Sequence, residues 1–349
     1  MENNYTRAKE PRNQGQTTMK NPQKLSIFVY NLNVRIRKVP KKFSKGDNLF
    51  KLLTAVAASS IFIILGLTVY ELIIGSRLSI QRFGIEFLVG TKWDPAISQV
   101  FGALPLILGT LVTSAIALLI GVPISLGIGL ALSEFSPKRF GFAVSFLVEL
   151  LAAIPSVIYG LWGIFTLIPF LRNNVYLPLQ AMFGFISLFS GPIYGGGVLT
   201  AGIVLAIMII PTVSAVSRDA FSAVPNTQRE AMISLGATKW ETAKIVISYA
   251  RTGVIGAIIL GLGRAVGETM AVTMVIGNKF QLLPASLFDA WYTMAAIIAN
   301  EFTEATYDLY VNALIEVGLV LFFIALIINI LARLIVWRSL RLVRGIARE

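Results

Sequence analysis

The chain has 349 residues, of which 56% are hydrophobic and only 14% charged, and it contains no cysteine and no histidine. The missing residue types exclude disulfides, thiol catalysis, Cys/His metal sites and a Ser-His-Asp triad. A formal net charge of +12 would suit nucleic acid, but no binding motif is present, and a mean hydropathy of +0.75 with apolar runs beyond ~18 residues points to a bilayer instead.

Residues 1–48 are polar and basic and read as a disordered cytoplasmic tail with no signal-peptide pattern, with a short amphipathic, surface-lying stretch at 25–34 as the alternative to a plain flexible tail. Six apolar runs follow, at 49–74, 104–132, 142–170, 198–217, 252–276 and 311–337. At about 1.5 Å per residue each is long enough to cross ~30 Å of hydrocarbon, and backbone groups in lipid must pair within their own segment, so each run is predicted to be a helix. The expected class is therefore an all-α integral membrane protein of about six transmembrane helices. Its divisions are a tail over 1–48, a first transmembrane helix over 49–75, an extracytoplasmic loop over 76–100, a core over 101–337 and a basic tail over 338–349.

Lys and Arg set the orientation. The N-terminal tail, Lys138 and Arg139, the 218–251 connection, and Arg333, Arg338, Arg341, Arg344 and Arg348 fall on one side. The opposite loops balance their few cations against Asp289, Glu301, Glu304 and Asp308. Both termini are thus expected in the cytoplasm. Glycines and prolines inside the spans, among them Gly121, Pro123, Pro155 and Gly160, suit close helix packing and kinks.

The 218–251 connection carries most information. Pro225 and Asn226 are placed to start a helix with Asn226 as cap, and Gly236 to end it. Thr238 with Glu241 three residues later forms a capping-box pattern for a second helix that leads into the fifth span. The fifth span holds two charges. Arg264 lies about 12 residues in, roughly 18 Å along a helix axis and near mid-bilayer. A charge there costs at least about 2.5–3.5 kcal/mol, so it needs a partner or a wet cavity. Glu268, four residues on, is expected on the same helix face, and Gly263 and Gly267 give that face a small-xxx-small approach surface. A guanidinium offers a fork of donors to an oxyanion; a buried Arg–Glu pair that fixes packing is the other reading. Glu149 reads as a structural charge near the cytoplasmic entry of the third span, and Glu71 as solvated.

The connection resembles the signature of ABC importer permeases, Glu-Ala-Ala, three residues, then Gly, standing here as Glu230-Ala231-Met232 and Gly236. The third position is Met, and Ile247-Ser248 stands where the family often has Leu-Pro. Further stretches resemble the membrane subunits of the phosphate-specific ABC importer, its C-type permease in particular. These are Trp93-Asp94-Pro95, residues 101–111, Ile209-Ile210-Pro211-Thr212, Ser217-Arg218-Asp219 and the block from Gly263 to Ala271. The likeness covers about residues 80–345.

The resemblance implies the type I ABC importer permease fold in an inner or plasma membrane. It implies Arg229, Glu230, Ala231 and Gly236 at the interface with a cytoplasmic ATPase, and Arg264, Glu268 and Thr269 along the phosphate pathway. The implied partners are a second, A-type permease, an ATPase homodimer and an extracytoplasmic phosphate-binding protein, with docking expected near 172–196 and 279–309. No cofactor is expected on this chain. ATP and Mg2+ belong to the ATPase subunits, since no GxxxxGK[ST] phosphate loop is present. Another oxyanion (phosphonate, sulfate or molybdate), a secondary transporter or channel, and a membrane-embedded enzyme are the alternatives. The missing His, Cys and catalytic cluster argue against the last.

Overall fold

The structure is a computed structural model that describes residues 45–280, 284 and 286–346, with side chains past Leu334 left aside. The candidate amphipathic stretch at 25–34 and nearly all of the basic tail lie outside the described residues. By internal contacts the chain divides at Ile63 and Ile64, inside a single helix, α1 (Lys45–Gly75).

Among the described residues five helices are long and apolar enough to cross a membrane, or six when one sharply bent pair counts as a span. The unbroken ones are α1, α4 (Leu104–Leu130), α9 (Val198–Ser222), α11 (Lys239–Gly267) and α14 (Asp308–Ile346). Pro105 sits in the first turn of α4, where its missing N–H costs nothing. The helix α14 runs past the expected start of the C-terminal tail.

The most enclosed of these helices is α9, packed between α4 and α11. Glycines set the spacing. A Cβ on Gly202 would stand 2.4 Å from Ile116, one on Gly121 2.9 Å from Ile209, one on Gly253 2.5 Å from Ala220, and one on Gly261 2.5 Å from Val213. Backbones this close leave no room for a side chain, and in lipid the resulting van der Waals contact is a main source of helix association. Buried Ala201, Val204, Leu205, Met208, Ile209 and Val213 fill the centre of this layer.

The third span, expected as one kinked helix over 142–170, is bent far more sharply than a proline kink. Helix α5 (Lys138–Ala152) stops, Ala153 to Pro155 turn the chain, and α6 (Ser156–Trp162) departs so that the two arms meet at 89°. Proline disfavours the helical conformation of the residue before it, and Pro155 is itself extended in ψ at 139°. The freed end of α5 is satisfied locally. Tyr159 Oη donates to Leu151 O at 2.9 Å, and the Ala153 and Ile154 amides donate to Leu150 O and Leu151 O. Helical chain continues through two π turns, α7 (Ile168–Leu171) and α8 (Leu177–Phe183).

The segment expected as a loop over 76–100 is ordered. It holds α2 (Arg77–Phe83), α3 (Glu86–Val89) and a two-stranded hairpin, β1 (Trp93–Asp94) with β2 (Val100–Phe101), paired Trp93 to Phe101. Asp94 accepts the amides of Ala96, Ile97 and Ser98, and these bonds hold its carboxyl below its ordinary value. Asn312 of α14 accepts the Leu78 amide at 3.1 Å and ties α2 to the bundle.

Part of the 279–309 region packs back against the bundle. Helix α13 (Met294–Glu301) begins where the Met294 amide donates to Thr110 Oγ1 at 3.0 Å, and Gly109 lies under the Tyr292 carbonyl. At its far end Glu301 Oε2 accepts Trp93 Nε1 at 3.0 Å and Tyr310 Oη at 2.5 Å. Trp93 stacks on Phe280, and Phe101 stacks on Tyr310. Glu301 thus pins the hairpin, α13 and α14 together.

Burial raises the Glu301 carboxyl above its ordinary 4.5, outweighing the hydrogen bonds from Tyr310 and Trp93 that lower it. The folded chain therefore keeps this proton at pH values where the unfolded chain has released it. Its stabilising effect is complete below the unfolded value and is lost as pH rises through the raised folded value. Thermal unfolding in detergent should show wild type losing stability across that window, and Glu301→Gln, which keeps an oxygen acceptor but carries no charge, should lose less. Equal slopes for the two would contradict the assignment.

Candidate functional site: an arginine in the last turn of α11 and the connection after α9

The fifth span, expected as one helix over 252–276, is broken in the structure. Helix α11 ends at Gly267, Glu268 is extended (φ −72°, ψ 127°), and a short α12 (Met270–Val275) begins after Thr269. Glu268 therefore does not lie one turn above Arg264 on a common helix face. Its Oε1 instead accepts the Ala271 amide at 3.4 Å, at the start of α12. Thr269 Oγ1 lies 3.4 Å from Gly267 O, and Thr273 Oγ1 donates to the Thr269 carbonyl at 2.7 Å.

Arg264 is half-buried, and its Nη1 donates to Thr212 Oγ1 of α9 at 3.1 Å. Among the described residues it makes no other hydrogen bond and no ion pair. Four of its five donors are left over, in a half-buried setting where charge is weakly screened. The same side of α11 carries an exposed stripe of Thr252, Gly256, Leu260, Gly263 and Gly267. A Cβ added at Gly256, Gly263 or Gly267 would meet nothing within 4 Å. A guanidinium with free donors beside an open glycine face can hold an oxyanion; among the described residues no cluster of three or more carboxylates could hold a metal.

The 218–251 connection folds much as its pattern dictates. Helix α10 (Asn226–Ser234) ends in a Schellman turn, with Gly236 at φ +79°, Gly236 N donating to Ile233 O and Ala237 N to Met232 O. Thr238 and Glu241 form the reciprocal capping box: Glu241 N donates to Thr238 Oγ1, and Thr238 N donates to Glu241 Oε2 at 2.7 Å. One detail differs. Pro225 occupies the cap position and Asn226 is the first helical residue, its Oδ1 accepting from Arg229 instead of from the backbone.

Of the residues expected at the ATPase interface, Glu230, Ala231 and Gly236 are exposed. They stand with Ile233, Leu235 and Trp240, which are 65%, 82% and 55% exposed. Beside them a cleft of about 430 Å3, lined by Met232, Leu235, Gly236 and Lys244, opens between α10 and α11. Arg229 points the other way, into its own chain, where it pairs with Glu134 at 2.7 Å.

Glu149 behaves as a structural charge, joining α5 to Arg218 of α9 at 3.1 Å; Arg218 also holds Asp219 at 2.8 Å. Glu71 is exposed. Three residues carry little sign of their setting in the sequence. Thr212 has no local signal of its partner, Glu134 lies 95 residues from Arg229, and Glu316 is a 5%-exposed carboxylate within α14 marked locally by its place in an apolar run.

The long helices, the bent third span and the connecting helix–turn–helix have the fold of a type I ABC importer permease. A chain of the MetNI methionine ABC transporter, solved in inward-facing conformations, superposes with a TM-score of 0.50 at 17% identity, over 71% of this chain and 99% of that one. The family described as binding-protein-dependent transport system inner membrane component matches residues 121–341. The phosphate transport system permease protein PstC of Haemophilus influenzae is 47% identical over 295 residues, covering 83% of this chain and 93% of its own. Its namesake in Mesorhizobium japonicum is 44% identical over 303 residues, covering 85% and 92%. A probable PstC of Methanocaldococcus jannaschii is 37% identical over 296 residues, covering 83% and 94%. The chain belongs to the family of binding-protein-dependent transport system inner membrane components.

The Gly236 turn gives a clean test of local strain, since no atom crowds the site and only the left-handed backbone opposes a side chain. Gly236→Ala should cost about 1–2 kcal/mol locally. Amide exchange at Gly236 and Ala237 should then quicken by about tenfold, and unchanged exchange would contradict the turn as described.

Proposed function

We propose that this chain is one permease subunit of an ATP-driven, binding-protein-dependent importer of inorganic phosphate. The observation that supports it most directly is Arg264, half-buried within α11 and, among the described residues, bonded only to Thr212, beside glycines where an added Cβ would meet none of those residues within 4 Å. Relatives up to 47% identical are named for phosphate transport. The glycine face leaves open space beside Arg264, which suits a pathway whose other wall is a second, A-type permease.

In this reading an extracytoplasmic phosphate-binding protein docks on the outer segments near 172–196 and 279–309. Phosphate passes along α11, where Arg264 compensates its charge and Glu268 and Thr269 border the break. One arginine with spare donors gives a weak site, which suits a pathway that must also release its cargo. An ATPase homodimer beneath the membrane takes up α10 through Glu230, Ala231, Gly236 and the exposed Ile233, Leu235 and Trp240. Its opening and closing drives the permeases between outward and inward states. ATP and Mg2+ belong to those subunits; this chain carries no phosphate loop and acts as a permease, not as the hydrolase. Its place is the cell inner or plasma membrane with both termini cytoplasmic, supported by the one-sided distribution of Lys and Arg.

The test is uptake of labelled phosphate at low concentration by cells lacking the chain and supplied with wild type or Arg264→Ala. Wild type should restore uptake that collapses on ATP depletion and resists excess sulfate. Arg264→Ala, present in the membrane at equal level, should lose about tenfold or more, equivalent to about 1.4 kcal/mol of pathway stabilisation. Normal transport by Arg264→Ala would make the arginine a structural charge, and competition by sulfate would shift the reading to a broader oxyanion importer.

A further inference from the structure

The guanidinium of Arg229 is saturated by three separate parts of its own chain. Nε and Nη2 grip the two oxygens of Glu134, at 3.1 and 2.7 Å, in the two-pronged geometry that fixes direction as well as distance. Nη1 donates to Val224 O at 2.5 Å and Nη2 to Phe221 O at 2.9 Å, both at the C-terminal end of α9, where carbonyls lack helical partners and the helix dipole favours a cation. Nη1 also reaches Asn226 Oδ1 at 3.3 Å.

Glu134 belongs to the π turn Ala131–Phe135 that closes α4. Its side chain is 9% exposed, so the pair is well shielded from water. The next residue, Phe135, meets the ring of Trp240 at 6.4 Å, so the segment following α10 touches the same turn. One side chain on the coupling helix thus joins α10, α4 and α9. The last two are packed face to face through Gly121 and Gly202 and include Thr212, the partner of Arg264.

We propose that Arg229, clasped to Glu134, is the positioning residue that carries displacement of the coupling helix into α4 and α9 as one body. The inference rests on the coupling reading above and assigns Arg229 a role different from contact with the ATPase. A bidentate, shielded pair resists shear better than apolar contact alone, because sliding leaves a buried charge unpaired. The exposed Glu230, Ala231, Ile233 and Leu235 receive the push, and the clasp transmits it.

The experiment uses the assembled transporter in liposomes, with its partner permease, ATPase subunits and binding protein. Glu134→Gln and Arg229→Lys are mild changes that keep size or charge and lose the two-pronged pair. Both should retain the ATPase subunits and continue to hydrolyse ATP. Phosphate imported per ATP consumed should fall at least about fivefold, the lower end of a coupling free energy between separate sites. An unchanged ratio would overturn the clasp. So would a parallel fall of hydrolysis and import, because a merely structural role lowers both together.

A second measurement covers the case in which the variants do not assemble. The chain has no native cysteine, so labels can be placed at Thr227→Cys and Ser133→Cys alone. Their distance distribution should be the same in nucleotide-free and ATP-trapped transporter, and a shift between the two would overturn the clasp. A wild-type chain that retains no ATPase subunits overturns the coupling reading and this inference with it.

Discussion

A backbone in hydrocarbon has no water to bond, and this one constraint governs where the chain is allowed to stop being helical. Straight helices meet it by themselves. The interesting points are the interruptions, which occur where other groups meet the freed ends. At Ala153 to Pro155 the hydroxyl of Tyr159 and two tight amide bonds close the end of α5. At Glu268 and Thr269 the Glu268 carboxylate takes a donor at the start of α12. The second interruption releases Glu268 from pairing with Arg264, and so leaves the guanidinium with donors to spare. The break in the helix thus leaves Arg264 as a candidate oxyanion site.

Packing delivers that site to its neighbours. Glycines at the α4–α9 and α9–α11 contacts bring three backbones close enough that α9 cannot shift without moving the others. Thr212 hangs from the central helix and touches Arg264, while the far end of the same helix is held by Arg229 through the carbonyls of Phe221 and Val224. A displacement applied at α10 therefore reaches the arginine through rigid elements and hydrogen bonds. The hairpin and α13, fixed by Glu301, brace the opposite end of the bundle.

Much of this was legible in the residues. Length and apolarity locate the five unbroken spans, and Thr238 with Glu241, then Gly236, mark the coupling turn because capping chemistry is local. Pro155 was visible as a kink, but an 89° bend depends on where α6 finds its packing against α12, with Gly160 set against Ala271 and Met274. Nothing local announces the break at Glu268, since the apolar run continues through Met270 to Val275. The Arg229–Glu134 and Trp93–Glu301 pairs join residues 95 and 208 positions apart. A single sequence carries no signal for contacts of that kind, whereas it does carry periodicity and caps.

In the proposed transporter the Arg264 face of α11 lines a water-filled pathway that opens to each side in turn. A cysteine placed at Gly263, where a side chain has open space, reports this directly in a chain with no cysteine of its own. In the assembled transporter an impermeant thiol reagent should label Gly263→Cys from the cytoplasmic side without nucleotide and from the opposite side with ATP trapped, and phosphate should slow the reaction. Labelling from neither side in either state would place the glycine face against protein or lipid and contradict the account.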